Sequence, residues 1–109
     1  MKMMIVIVQN QDASDLAEQL RSTGHMFTKL STTGGFLRSG NTTLIVGTED
    51  QEVSTVLDLI HRCCKSRKQM APAYNMLSGD MALNLTPAYE VTVGGATVFV
   101  LDVEQFHKF

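Results

Sequence analysis

The sequence is poor in cysteine, proline, tryptophan and net charge, and each shortage narrows the possible functions. It has no tryptophan, two prolines and two cysteines in 109 residues. Cys63 and Cys64 are adjacent, which matches neither a CxxC redox pair nor a zinc knuckle, so we expect reduced thiols that are partly packed. Nine Lys and Arg against eleven Asp and Glu leave a net charge of −2, without the basic surplus that nucleic-acid binding requires. Nucleic acid is therefore not an expected partner.

The N-terminus shows no recognisable targeting or membrane segment. One Lys precedes an apolar run at residues 3–8, which is shorter than a signal-peptide core or a membrane span and is followed by no small-residue cleavage site. We therefore expect a cytoplasmic protein. At 109 residues the chain can build one core, so a single domain over residues 1–109 is expected. A site that needs more walls must obtain them from another copy.

Local motifs for catalysis and metal binding are missing from the sequence. It contains no GxxxxGKS/T, GxGxxG or HExxH motif and no local Ser-His-Asp or Cys-His pattern. His25, His61 and His107 stand far apart, so surface or tail positions are expected for them rather than a metal site. These absences favour a nonenzymatic protein without a metal or cofactor.

Apolar periodicity predicts the elements of the first half of the chain. Residues 3–8 are continuously apolar, which is typical of a central strand. A helix follows, capped by Asp12 and stopped at Gly24. Its apolar stripe has the spacing i, i+3, i+4 and i+7 and comprises Ala13, Leu16, Ala17 and Leu20. Residues 27–33 and 42–46 predict the second and third strands, joined as a hairpin.

A second helix is predicted next. Thr48 and Gln51 form a capping box at its start. Its apolar stripe comprises Val53, Val56, Leu57, Ile60 and Cys64. Basic residues at its far end complement the helix dipole and are expected to face solvent: Arg62, Lys65, Arg67 and Lys68.

The last third predicts a long loop and two strands. Residues 69–87 contain two prolines and follow neither the strand nor the helix period, so we expect a loop that is poorly ordered without ligand. Tyr89–Val93 and residues 96–101 are β-rich runs separated by two glycines, which predicts a hairpin between them. Phe106 and Phe109 predict a C-terminal tail that is held against the body.

The predicted order is β-α-β-β-α-β with one added strand before the last. This is the α+β, ferredoxin-like arrangement, with both helices on one face of the sheet. The strands are apolar on both sides, so the other face needs a second layer. Oligomerisation is expected to supply it.

The most informative stretch is residues 28–47, TKLSTTGGFLRSGNTTLIVG. Three glycines leave backbone N–H groups uncovered there: Gly34, Gly35 and Gly40. Phe36, Arg38 and Asn41 add an aromatic face, a cation and an amide. This combination suits an anion that carries a flat ring. The alternative is a hairpin whose glycines only shape the turn.

Three segments carry a resemblance to a known family: QNQD after the first strand, TKLSTTGGFLRSGNTTLIVG, and VGGATVFVLDVEQFHKF at the end. Through them the whole chain resembles the cyclic di-AMP receptor family called PstA or DarA, which are PII-like signalling proteins of Gram-positive bacteria. The resemblance implies a homotrimer of ferredoxin-like protomers that binds one cyclic dinucleotide in each of three clefts between subunits. It also implies signalling to a downstream protein through changes in the loops.

The resemblance assigns the ligand-binding positions. One subunit contributes Thr28, Gly35, Phe36, Leu37, Asn41 and Gly47, and its neighbour contributes Phe99. Backbone N–H groups near Gly35 and Leu37, with the Asn41 amide, suit phosphate oxygens. Phe36 and Phe99 offer stacking faces for adenine.

Two other interpretations remain open. Gly24, Met26 and Lys108 stand where relatives carry Asn, Arg and Gln, so a PII-like sensor of ADP, ATP or another adenine nucleotide is the second hypothesis. An enzyme that acts on such a nucleotide is the third, although the sequence offers no convincing general base or metal set.

Overall fold

Six strands and two helices follow one another in a computed structural model that describes residues 1–31, 40–71 and 89–109. The strands are Lys2–Gln9 (β1), Phe27–Ser31 (β2), Asn41–Thr48 (β3), Arg67–Ala71 (β4), Tyr89–Val93 (β5) and Ala96–Asp102 (β6). The helices are Asn10–Ser22 (α1) and Val53–Cys64 (α2), and a 3-10 turn at Asp50–Glu52 precedes α2.

Four strands form an antiparallel sheet in the order β2-β3-β1-β6. The connection from β1 through α1 leads to β2 and passes over β3. The connection from β3 through α2 leads to β6 and passes over β1. This α+β arrangement is compatible with the predicted ferredoxin-like fold. A separate two-stranded sheet, β4 with β5, is inserted between α2 and β6.

The core lies between the helices and one face of the sheet. Alternate residues of β1, namely Met4, Val6 and Val8, are buried together with Leu44 and Val46 of β3. Such alternation follows from the period of two along a strand. The predicted stripe of α1 is confirmed, because all four of its residues are buried: Ala13, Leu16, Ala17 and Leu20.

The apolar stripe of α2 is confirmed in part. Val56, Ile60 and Cys64 are buried, and so is Leu59, which the prediction omitted. Leu57 is exposed instead. The face of α2 that packs against the core is therefore rotated by a fraction of a turn from the predicted stripe.

Both predicted helix caps are wrong. Helix α1 begins at Asn10 with Gln9 at the N-cap, so Asp12 lies inside the first turn, where its buried carboxylate accepts hydrogen bonds from Arg67. Thr48 ends β3, and no group in the described ranges pairs with its buried hydroxyl. Helix α1 thus begins before its predicted cap, whereas β3 extends far enough to include the residue that was to cap α2.

The predicted hairpin of the last two strands is also wrong. β5 pairs with β4, whereas β6 pairs with β1 in the other sheet. Gly94 and Gly95, with φ of 82° and 93°, carry the chain from one sheet to the other instead of reversing it. Arg67 and Lys68 belong to β4 rather than to a helix end, and residues 69–71 of the predicted loop also lie in β4. The rest of that loop falls outside the described residues.

One face of the four-stranded sheet is left bare by the helices. Strand register places Thr28, Ile45, Ile5 and Phe99 side by side in one row across this face. Phe99 is 53% exposed and Leu101 is 41% exposed. The predicted bare apolar face is therefore present.

Candidate functional site

A groove of about 470 Å³ opens on the bare face, at the end where β3 finishes. Thr28 and Gly47 both line it. Its other walls are mainly apolar and include Met3, Met26, Ile45 and Phe106. The volume lies in the range of small-molecule sites, about 300–1,000 Å³. The groove is apolar, contains one hydroxyl group and has no side chain at its glycine. Such a groove suits a flat ring whose edge carries polar atoms.

Gly47 has no structural need to be a glycine. Its φ is not positive, and a Cβ added there would meet only the Met1 Cε, at an ordinary 3.9 Å. It is paired with Met3 in the register between β1 and β3. The missing side chain therefore leaves space in the groove itself.

Phe99 lies on the same face but not in this groove. The row from Thr28 on β2 to Phe99 on β6 crosses β3 and β1, so about 14 Å separates the two positions at 4.8 Å per strand. Its ring is half exposed. Phe99 is not one of the residues that line the groove of its own protomer.

Asn41 lies at the opposite end of β3, in a second groove of about 330 Å³. This groove is more polar and is also lined by Gln9, Gly94 and Thr97. Asn41 and Gly47 are six positions apart in β3, which is about 20 Å along a strand. Asn41 therefore lines a groove that is distinct from the one at Gly47.

The remaining predicted site residues cannot be placed. Gly35, Phe36 and Leu37, as well as Arg38, lie outside the described residues. Of the four that are described, the structure brings Thr28 and Gly47 together and keeps Asn41 and Phe99 apart from them.

Histidine and cysteine side chains near the helices take part in neither groove. His25 Nε2 lies 3.0 Å from Glu52 Oε2, and its Nδ1 lies 2.9 Å from Thr23 Oγ1. Cys64 is buried, and burial raises the pKa of its thiol to about 12. Among the residues that the structure describes, no three His, Cys, Asp or Glu side chains cluster as metal ligands do.

Comparison with known proteins identifies the family of the chain. Residues 1–109 match the cyclic-di-AMP receptor family. The chain belongs to that family. A crystal structure of a functionally unknown protein from Pediococcus pentosaceus ATCC 25745 is 42% identical, with a TM-score of 0.79, and the match covers 99% of this chain and 96% of that one.

Membership in the cyclic-di-AMP receptor family confirms the resemblance found in the sequence. Most groove residues were not predicted as ligand contacts, and Met26 and Phe106 are among them. Met26 had been noted only as a departure from relatives, and Phe106 only as part of a packed tail. Phe106 lines the groove but is 64% exposed, and Phe109 is fully exposed, so neither ring is buried as a tail held against the body requires. Their placement depends on the fold around β2 and the C-terminus, which local sequence does not encode.

No helix in the described ranges is long and apolar enough to cross a membrane.

Proposed function

We propose that this protein is a nonenzymatic, cytoplasmic signalling protein that binds cyclic di-AMP in clefts between the subunits of a homotrimer. Residues 1–109 act as one domain, and ligand binding changes the loops that a downstream protein reads. Membership in the cyclic-di-AMP receptor family supports the ligand. The bare sheet face supports the assembly.

The observation that supports the trimer is the lack of charge among the described side chains of the bare face. Register places the following described side chains on it: Met3, Ile5, Ile7, Gln9, Thr28, Leu30, Asn41, Thr43, Ile45, Thr97, Phe99 and Leu101. None of them is charged. A continuous uncharged face of this kind on a small protein marks an interaction surface. Further copies of the chain cover it in our proposal.

The position of Phe99 supports a cleft that is shared between copies. Thr28 and Gly47 occupy a groove that Phe99 of the same protomer does not line. The half-exposed Phe99 ring lies on the face that the neighbour covers, so it can project into the neighbour's groove. Adenine then stacks on an aromatic ring from one subunit and lies over Gly47 of the other.

Our proposed ligand set is the following: Thr28, Gly35, Phe36, Leu37, Asn41 and Gly47 of one subunit and Phe99 of the next. Thr28 bonds the adenine edge, and Gly47 leaves room for the ring. Asn41 and the backbone N–H groups of the glycine-rich turn hold phosphate oxygens. No metal or cofactor takes part.

Light scattering tests the assembly. We expect three times the 12.0 kDa chain mass. Leu101→Asp places a charge on the bare face, whereas Val100→Asp places the same charge on the adjacent residue of the opposite face, which is similarly exposed at 44%. Leu101→Asp should dissociate the trimer and Val100→Asp should not. A monomeric parent at micromolar concentration would contradict the proposal.

Titration calorimetry tests the ligand. We expect cyclic di-AMP to bind more tightly than cyclic di-GMP, ATP or ADP. Preference for ATP or ADP would favour the alternative, a PII-like sensor of an adenine nucleotide. A nucleotide product found by chromatography after incubation with the ligand would instead establish an enzyme.

A further inference from the structure

The β4–β5 sheet, called here the arm, is attached to the body at its two inner ends. The arm consists of Arg67–Ala71 and Tyr89–Val93, and Arg67 is paired with Val93 at the end nearest α2. In the described ranges its strands pair with each other and not with the four-stranded sheet. Contacts at these inner ends join the arm to the body.

The first attachment is an ion pair between the arm and α1. Arg67 Nη2 donates to Asp12 Oδ1 at 2.8 Å, and Nη1 donates to Asp12 Oδ2 at 3.2 Å. The Asp12 side chain is only 7% exposed. A two-pronged bond to a buried carboxylate restricts orientation as well as distance. The start of β4 is thus held against the first turn of α1.

The second attachment is at Gly94, directly after β5. Its N–H donates to Gln9 Oε1 at 2.7 Å. A Cβ at Gly94 would lie 2.5 Å from Arg67 Nη1 and 2.7 Å from the Lys65 carbonyl oxygen. No side chain fits between these groups, so both ends of the arm meet at the same place as the Asp12 bond.

The same short segment of chain also holds both neighbours of Asn41. The Asn10 N–H donates to the Gly40 carbonyl oxygen at 3.1 Å. Thr42 Oγ1 donates to Asn10 Oδ1 at 2.6 Å. Gln9 is the direct register partner of Asn41. The backbone on either side of Asn41 is therefore fixed by residues 9 and 10.

We propose that residues 9–12, the QNQD segment, couple ligand binding beside Asn41 to the position of the arm. Three of these four residues make the contacts: Gln9 and Asn10 hold the flanks of Asn41, and Gln9 and Asp12 hold the two inner ends of the arm. Gln9, Asn10 and Asp12 act as positioning residues. This inference rests on the proposed ligand site, because it names how occupation of that site is transmitted.

The proposed coupling predicts one effect on the arm and one on the affinity for the ligand. A ligand that fixes Asn41 and its neighbours also fixes Gln9 and Asn10, and through Gly94 and Asp12 it restrains the arm. Since coupling between two sites is reciprocal, a change at the arm must in turn alter the affinity for the ligand. Both effects can be measured in the full-length protein.

Hydrogen exchange measured by mass spectrometry tests the first effect. In the parent protein, cyclic di-AMP should slow exchange in Arg67–Ala71 and Tyr89–Val93. Gln9→Met removes the acceptor for the Gly94 N–H at similar length and adds no charge to the bare face. At saturating cyclic di-AMP the arm response should be lost in Gln9→Met, with exchange in Lys2–Gln9 and the mass by light scattering unchanged, which shows that the sheet and the assembly are those of the parent.

Calorimetry tests the reciprocal effect with a residue outside the ligand set. Arg67→Lys keeps the charge but cannot form the two-pronged bond, so cyclic di-AMP binding should weaken by about fivefold or more. Lys68→Ala is the matched control, because among the described residues Lys68 forms its ion pair within the arm, with Glu90 at 3.0 Å. Its affinity should equal that of the parent.

The outcomes separate this inference from the proposed function. A parent protein that does not bind cyclic di-AMP overturns the proposed function and the coupling with it. A parent that binds while exchange in the arm stays the same overturns the coupling alone. The coupling is also overturned if cyclic di-AMP slows exchange in the arm of Gln9→Met as much as in that of the parent.

Discussion

Gly47→Ala offers the sharpest test of the groove, because it should change folding and ligand binding in opposite directions. The residue lies in β3 with a backbone that any residue adopts, and the nearest atom to an added Cβ is the Met1 Cε at 3.9 Å. Alanine therefore fits the free protomer without a clash. Replacing glycine at such a position stabilises a protein by about 0.4–1 kcal/mol, chiefly by restricting the unfolded chain.

The same methyl group enters the space proposed for the adenine ring. Forcing an additional methyl into a packed contact costs about 1–3 kcal/mol. Cyclic di-AMP should therefore bind about 5-fold to 150-fold more weakly to Gly47→Ala. Titration calorimetry measures the affinity, thermal unfolding measures the stability, and light scattering verifies that the assembly is that of the parent.

A control on the neighbouring strand isolates the effect of the groove. Lys29 lies between Thr28 and Leu30 in β2 and faces away from the bare face, so Lys29→Ala changes a side chain outside the groove. We expect parent-like affinity for that variant. Gly47→Ala that binds cyclic di-AMP as tightly as the parent would refute the groove as the adenine site. A much lower melting temperature would instead show that the glycine is needed by the fold.

Three further predictions follow from the described side chains. Asn41→Ala should weaken cyclic di-AMP binding by about 1.5–3 kcal/mol through loss of a bond to a charged phosphate, and unchanged affinity with a much lower melting temperature would make Asn41 a turn-stabilising residue. Phe99→Ala should weaken binding by about 1–3 kcal/mol through lost stacking, as measured by calorimetry on protein shown to be trimeric. Cys64 should resist alkylation at pH 8 until the protein is unfolded, because burial raises its pKa to about 12. Since the unfolded thiol ionises near its ordinary pKa of 9.0 while the folded thiol stays protonated, stability to denaturant should fall above pH 9, and less so in Cys64→Ala.

The sequence predicted those helices and strands whose buried residues form a recognisable pattern within the element itself. The continuous apolar run of β1 and the stripe of α1 are each visible within a dozen residues, and both are confirmed. β4 has no such signal, because RKQMA carries two cations and no alternating apolar residues. It is a strand because β5 pairs with it, and that partner lies about twenty residues further along the chain. Non-local pairing overrides weak local preference here.

The two glycines before β6 show how a strong local signal can be misread. Two glycines between β-rich runs favour a tight hairpin because both can adopt positive φ. Gly94 and Gly95 do adopt it, but they carry the chain past the end of α2. The Gly94 N–H bonds Gln9, and the Gly95 N–H bonds the Cys64 carbonyl oxygen. The backbone conformation was predictable, whereas the partner of each strand was not.

The residues of the candidate site could be proposed from the sequence, but their geometry could not. Asn41 and Gly47 begin and nearly end the same strand on the same face, about 20 Å apart at 3.3 Å per residue. One ligand molecule can contact both in a single protomer only if it extends along β3. Phe99 is displaced in the other direction, three strands across from Thr28. A cleft completed by a second copy accounts for Phe99, whereas the contacts with Asn41 and Gly47 of one subunit require a ligand that extends along β3.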